Sequence, residues 1–189
     1  LDERGAELVT LFPHNGGDVP KTMDGFDGLI VLGGPMHAGG DATYPAFALV
    51  LSLIQACGDT NIPVLGLCLG AQPIARAFDQ EVYRFGGLEV GYPSVYLTSA
   101  GQRDPLFRGM AAEQRIMQMH EDSFDLPKDA VLLMRNDVCE NQAFRIGRSI
   151  YGIQAHPEVT LTDARNFPRD CWPAMTRHYG DGAEAVEKK

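Results

Sequence analysis

Apolar residues run along this chain in two different rhythms, and the change of rhythm divides it. In the first half they come in unbroken blocks. The stretch FDGLIVLGGPMHAGG (Phe26–Gly40) is a β-branched apolar run that ends in glycines. It predicts a buried strand and a loop. YPAFALVLSLIQACGDTNIP predicts a helix with Gly58 near its end, IPVLGLC a second buried strand, and LGAQPIARAF a helix behind it. Two strand–helix units in succession predict a parallel sheet with helices on both faces.

After Phe78 the blocks give way to alternation. EVYRFGGLEVGYPSVYLT alternates and is cut by Gly86 and Gly87, which predicts antiparallel strands in a hairpin. GQRDPLFRGM is rich in turn formers. RIMQMHEDSFDLP, AVLLMRND and NQAFRIGRSIYGIQAHPEV predict successive strands with short turns, and TLTDARNFPRDCWPAMTRHYG a weak helix interrupted by Pro168 and Pro173. The chain opens LDERGAELVTLF, without Met. LDERG reads as the tail of a helix closed by Gly5, and AELVTLF as a strand. The pattern predicts one α/β domain with a mixed sheet over residues 1–189, lacking an earlier strand and part of the first helix.

Composition narrows the function classes. The chain has 189 residues, 44% hydrophobic and 22% charged, enough for one sizeable core. A net charge of −9, with lysines only at 21, 128, 188 and 189, argues against a nucleic-acid partner. No apolar stretch reaches the roughly 18 residues of a membrane span, and no signal peptide is visible, so the expectation is cytoplasmic. Cys57, Cys68, Cys139 and Cys171 have no CxxC spacing, which points away from a disulfide framework. His14, His37, His120, His156 and His178 lie far apart, so no metal site is expected.

One cysteine stands out. Gly66-Leu67-Cys68-Leu69-Gly70 sits where an apolar strand meets a helix. The G-x-nucleophile-x-G form is an elbow. Its nucleophile takes a strained backbone angle, and the residues two positions either side must lack side chains because strand and helix crowd there. The adjoining helix N-terminus favours a thiolate, and the Leu69 amide can face an oxyanion. Cys57, Cys139 and Cys171 lack that setting and read as packing residues. A cysteine nucleophile needs a base. His156 in YGIQAHPEV, with Glu158 two positions on, and His120 in MHEDSFDLP, with Asp122 at the same spacing, are both candidates. Residue chemistry alone does not choose between them.

VLGLCLGAQ, YGIQAHPEV and VLGGPMHA together resemble the class I, triad-type glutamine amidotransferase domain. MHEDSFDLP and CENQAFR further resemble its stand-alone members related to the glutaminase part of GMP synthase. The resemblance covers nearly the whole chain. It implies a flavodoxin-like three-layer sandwich, a mixed and mostly parallel sheet with an antiparallel extension. It also implies a triad of Cys68 as nucleophile, His156 as base and acid, and Glu158 as orienting carboxylate. Gly34 and Leu69 would form the oxyanion hole. Gln72, His120 and Asp122 would contact substrate, and no cofactor is implied. The substrate would be glutamine, hydrolysed through a glutamyl thioester, with ammonia passing to an acceptor on a separate synthase protein. Ala155 and Met119 stand where the family commonly has aromatics. Both are smaller, which keeps a γ-glutamyl peptidase or hydrolase as the runner-up. A silent binding module is the third reading, disfavoured by the intact Cys-His-Glu set.

Overall fold

The computed structural model describes residues 2–15, 17–160, 162–164, 166 and 172–183. Seven strands form one sheet. The first unit is strand β1 (Leu29–Val31), helix α1 (Ala46–Thr60), strand β2 (Val64–Leu67) and helix α2 (Ala71–Ala77). The remaining elements are β3 (Val82–Gly91), β4 (Ser94–Leu97), β5 (Glu113–Arg115), β6 (Gln118–Phe124), β7 (Ala130–Arg135), β8 (Ala143–Ile146), β9 (Ile150–Ile153) and α3 (Trp172–Tyr179). The order across the sheet is β1-β2-β9-β8-β7-β4-β5. The β1–β2 and β2–β9 pairs are parallel, and every pair from β9 to β5 is antiparallel. By direction β1, β2, β9, β7 and β5 therefore run one way, with β8 and β4 reversed. This is the mixed α/β, flavodoxin-like sheet with an antiparallel extension that the pattern and the resemblance imply.

Alternation along β2 and β9 sorts side chains onto the two faces. Val64 and Ile150 join Ile54, Cys57, Ile74 and Phe144 under α1 and α2. Leu67 and Ile153 face the other way, into a core with Val95, Leu133, Met134 and Phe107. The third layer here is thin. The second core is covered by 3-10 turns at Gly101–Arg103 and Pro105–Phe107, the latter capped by Asp104, whose side chain accepts from the Leu106 amide at 3.0 Å.

Four local expectations are corrected. EVYRFGGLEVGYPSVYLT is not a hairpin. β3 pairs with β6 in a separate two-stranded ribbon, while β4 pairs with β5 and β7 in the main sheet. Gly86, at φ 83°, lies in the register shift between Arg84 and Glu89, and the Tyr92-Pro93 step carries the chain between sheets. AELVTLF forms no strand. Leu8, Val9, Leu11 and Phe12 are exposed, and β1 pairs only with β2 among the described residues, so no ladder reaches this segment. For the same reason β1 is an edge rather than a buried strand, with Ile30 exposed. Pro173 does not interrupt its helix. It is the second residue of α3, where its missing N–H costs nothing; Pro168 lies outside the described residues.

The β3–β6 ribbon is backed by α3. Met119, Met175 and Ala183 pack with Leu88, Val90 and Trp172. Arg177 and His178 at the end of α3 bind Glu121 of β6 at 2.9 and 2.8 Å. No helix among the described residues is long and apolar enough to cross a membrane.

Candidate active site

β2 ends at Leu67 in extended conformation, and the chain turns at once through Cys68–Gly70 into α2. Cys68 takes φ 51°, one of three non-glycine residues with positive φ among those described. The flanking glycines are required by space. A Cβ on Gly66 would lie 2.3 Å from the Gly70 carbonyl oxygen, and one on Gly70 would lie 1.9 Å from that of Val31. The turn is thus compressed between β1, β2 and α2, and it aims the Cys68 side chain away from the crowded side.

His156 follows β9. Its amide donates to the Met117 carbonyl at 2.8 Å, which anchors it beside the ribbon. Its Nδ1 lies 2.8 Å from Glu158 Oε1, and the ring interacts with Cys68. Cys68 and His156 are 6% and 5% exposed, so the pair works in a low-dielectric setting. Burial works against the charged ring. The hydrogen bonds from Cys68 and Glu158, and then their charges, outweigh it and push His156 up to about 10. Burial pushes the Cys57 and Cys139 thiols up, as expected of packing residues; Cys171 lies outside the described residues.

The glycine loop after β1 reaches the same place. A Cβ on Gly33 would sit 3.1 Å from His156 Cε1 and 3.6 Å from Cys68 Cβ. One on Gly34 would sit 3.0 Å from Leu69 Cδ2. Gly34 and Leu69 are therefore side by side next to the cysteine. The loop is clamped at two points. Arg76 of α2 donates to the Ala38 carbonyl and holds Asp41 through two hydrogen bonds of 2.7 Å. His37 Nδ1 donates to Asp122 Oδ2 at 2.6 Å.

The remaining predicted residues divide. Gln72 is buried on α2 and donates to Gln154 Oε1 at 3.4 Å, while its own Oε1 has no hydrogen-bond partner among the described residues. His120 is 6% exposed and fully engaged by protein: Nε2 meets Glu89 Oε2 at 2.8 Å and Nδ1 the Asp122 carbonyl at 2.9 Å. Its ring offers no nitrogen to a substrate in this arrangement. The side chains of the small residues expected to widen the site pack elsewhere. Ala155 is in the core behind the sheet and Met119 is packed beneath α3.

Sequence reasoning missed Gln154. It is fully buried, and its Nε2 donates to Cys68 Sγ at 3.7 Å. The signal was available, since residues two apart on a strand share a face and Gln154 is two before His156. Glu89 was also missed. Although no metal set is legible in the spacing, the fold brings ligand atoms of Glu89, His120 and Cys139 within 4.8 Å of one another.

With fold and site in place, comparison with known proteins is decisive. The sequence model of the family described as glutamine amidotransferase class-I matches residues 1–171. The chain belongs to that family. Among class I amidotransferase relatives, it is 29% identical over 163 residues to the glutamine amidotransferase-like protein YfeJ of Salmonella typhimurium, covering 85% of this chain and 68% of that one. It is 32% identical over 152 residues to a glutamine-hydrolysing GMP synthase subunit of Thermococcus kodakarensis, covering 76% and 75%. A crystal structure of a glutamine amidotransferase of Thermotoga maritima superposes with a TM-score of 0.82 at 27% identity, covering 99% of this chain and 80% of that one. Against the corresponding GMP synthase subunit of Pyrococcus furiosus, 35% identical over 126 residues, the match covers 63% of this chain and 65% of the relative's length.

Proposed function

We propose that this amidotransferase domain hydrolyses the side-chain amide of glutamine through Cys68, His156 and Glu158, releasing ammonia for an acceptor on a separate protein. The observation that carries the reading is the Cys68 turn at φ 51°, with the His156 ring interacting with Cys68 and its Nδ1 2.8 Å from Glu158 Oε1. A strained nucleophile, a base and an orienting carboxylate are the parts that acyl transfer needs.

The chemistry follows from those parts. The Cys68 sulfur forms a bond to the carbonyl carbon (Cδ) of the glutamine side-chain amide, and the carbonyl electrons move onto oxygen beside the Gly34 and Leu69 amides. When the C–N bond breaks, His156 gives its proton to the departing ammonia, leaving a glutamyl thioester. A ring held up to about 10 enters this step already protonated. Acylation then removes the two Cys68 contributions that raise it, while burial still opposes the cation. The ring thereby becomes a better-matched base for the water that attacks the thioester. Glutamate leaves, the thiolate re-forms and His156 regains its proton. Gln154 Nε2 offers the sulfur a donor, and the unpaired Gln72 Oε1 supplies an acceptor for a substrate N–H. Several relatives are glutamine-hydrolysing GMP synthase subunits, which supports a separate synthase protein as acceptor partner.

The test is ammonia release from glutamine, γ-glutamyl peptides and glutathione conjugates by the wild type and Cys68→Ala. The expected result is turnover of glutamine, its loss in Cys68→Ala, and labelling of Cys68 alone by a glutamine-like diazoketone. Activity surviving in Cys68→Ala would overturn the mechanism. Turnover of γ-glutamyl peptides without glutamine would move the substrate to the runner-up. Of its two supports in sequence, Ala155 packs in the core behind the sheet, and the Met119 side chain packs beneath α3 while only its main chain reaches Cys68.

A further inference from the structure

We propose that Glu89 is a positioning residue for the reaction at Cys68: acting through His120, its buried carboxylate fixes strand β6, whose main chain holds both Cys68 and His156. The proposal rests on the glutaminase reading above and adds to it a residue on β3, outside every motif that identified the site.

The main chain at the start of β6 contacts both reacting residues. The Met117 carbonyl accepts from the His156 amide at 2.8 Å, and two residues on the Met119 carbonyl lies 3.8 Å from Cys68 Sγ. The separation between nucleophile and base is therefore tied to where β6 sits. β6 belongs to the two-stranded ribbon, not to the sheet that carries Cys68 and His156. Something must hold the ribbon in register with that sheet.

The side chains at alternate positions of β6 supply the hold. His120 Nε2 lies 2.8 Å from Glu89 Oε2 and its Nδ1 lies 2.9 Å from the Asp122 carbonyl. Both ring nitrogens thus face protein oxygens, one on the main chain and one on the Glu89 carboxyl. Glu89 also accepts from Asn136 Nδ2 and, at 2.8 Å, from Gln142 Nε2. Neither amide can be turned around. Asn136 Oδ1 accepts from the Val138 and Cys139 amides at 3.0 and 2.8 Å, and Gln142 Oε1 accepts from Gln118 Nε2 at 2.8 Å. Asn136 follows β7 and Gln142 precedes β8, so these bonds join ribbon to main sheet. Glu89 and His120 are 4% and 6% exposed, and Gln118 and Gln142 are wholly buried. Removing one member of such a buried hydrogen-bonded set leaves the others unsatisfied, which is why the set holds its geometry. Cys139 completes no further bond to Glu89 or His120; its sulfur meets Ser123 Oγ at 3.2 Å. Protein partners thus occupy both carboxylate oxygens and both ring nitrogens.

The test compares wild type, Glu89→Gln and Glu89→Asp by steady-state ammonia release and by the rate at which iodoacetamide alkylates Cys68. A misplacement of about 1 Å far from the chemistry can cost roughly 10²-fold in rate. Glu89→Gln should lower kcat by about that factor with KM within about twofold, slow alkylation in parallel, and recover partly in Glu89→Asp. Wild-type kcat and alkylation in a folded Glu89→Gln would overturn the proposal. So would a rise in KM at unchanged kcat, which would place Glu89 at the substrate. If Glu89→Gln does not fold, Glu89→Asp carries the comparison: a folded protein at wild-type kcat and alkylation overturns it. Stoichiometric zinc in the wild type, with cobalt substitution giving a thiolate charge-transfer band lost in Cys139→Ser, would also overturn it, making Glu89 a ligand. Alkylation needs no substrate, so it tests Glu89 even if glutamine turns out not to be hydrolysed.

Discussion

Glu158→Gln isolates what sets the proton affinity of His156. The change keeps the shape of the side chain and removes its charge 2.8 Å from Nδ1. Burial opposes the charged ring, and the hydrogen bonds and charges of Cys68 and Glu158 together push it up to about 10. A hydrogen bond to a charged partner contributes about 1.5–3 kcal/mol, and the 39% exposure of the Glu158 side chain lets water screen it towards the lower end. At about 1.36 kcal/mol per pH unit, His156 in the variant should titrate roughly one pH unit lower. The sign follows from linkage. A histidine raised in the folded state adds stability that is fully present below its ordinary value of 6.5 and is lost as pH rises towards about 10. The stability gap between wild type and Glu158→Gln should therefore be at its full size from about pH 6 to about pH 8, shrink as pH rises through about 9 to 10, and vanish only above about 10. Denaturant unfolding across that range measures the gap, and the His156 Cε1–H resonance reads the titration directly. The upper limb of the pH–rate profile should move down by about the same one unit. An unchanged His156 midpoint in the variant would refute the reasoning, because Glu158 would then contribute nothing to the charge on the ring.

Two further changes probe the turn and the sulfur. Gly70→Ala puts a Cβ 1.9 Å from the Val31 carbonyl oxygen, a main-chain atom that cannot move without opening the β1–β2 pairing; it should cost roughly 1–3 kcal/mol, with Tm falling by several degrees in a thermal scan, and a wild-type Tm would contradict the crowding. Gln154→Met removes the donor 3.7 Å from Cys68 Sγ while nearly conserving volume; alkylation of Cys68 and kcat should both fall by about tenfold, and unchanged alkylation would remove Gln154 from the site.

What was legible in the sequence was what neighbours in the chain determine. The β1–α1–β2–α2 unit follows from apolar blocks separated by Gly and Pro, and the glycines around Cys68 mark a turn whose crowding is set within a few residues. The β3–β4 hairpin was misread because alternation reports which face a residue occupies but not which strand it joins. The partner of β3 is β6, reached across β4, β5 and two 3-10 turns. AELVTLF has the composition of a strand, yet a strand exists only where another chain segment satisfies its amides, and none does so among the described residues. The Glu89 set was invisible for the same reason: its bonds span 31, 47 and 53 residues and depend on that ribbon.

The choice between two histidines shows the boundary most sharply. His120 and His156 each carry a carboxylate two residues on, and on a strand those pairs would share a face. The fold gives the equal spacings different uses. Past β9, the Glu158 carboxylate meets the His156 ring, and Gln154 and His156 converge on Cys68. On β6 the Asp122 carboxylate instead takes His37 from the glycine loop, and His120 reaches only the Asp122 main chain before turning to Glu89. Local spacing proposed two equivalent dyads. Register against neighbouring strands sets one pair against Cys68 and turns the other histidine to Glu89, so the distinction lives in long-range pairing that no short motif encodes.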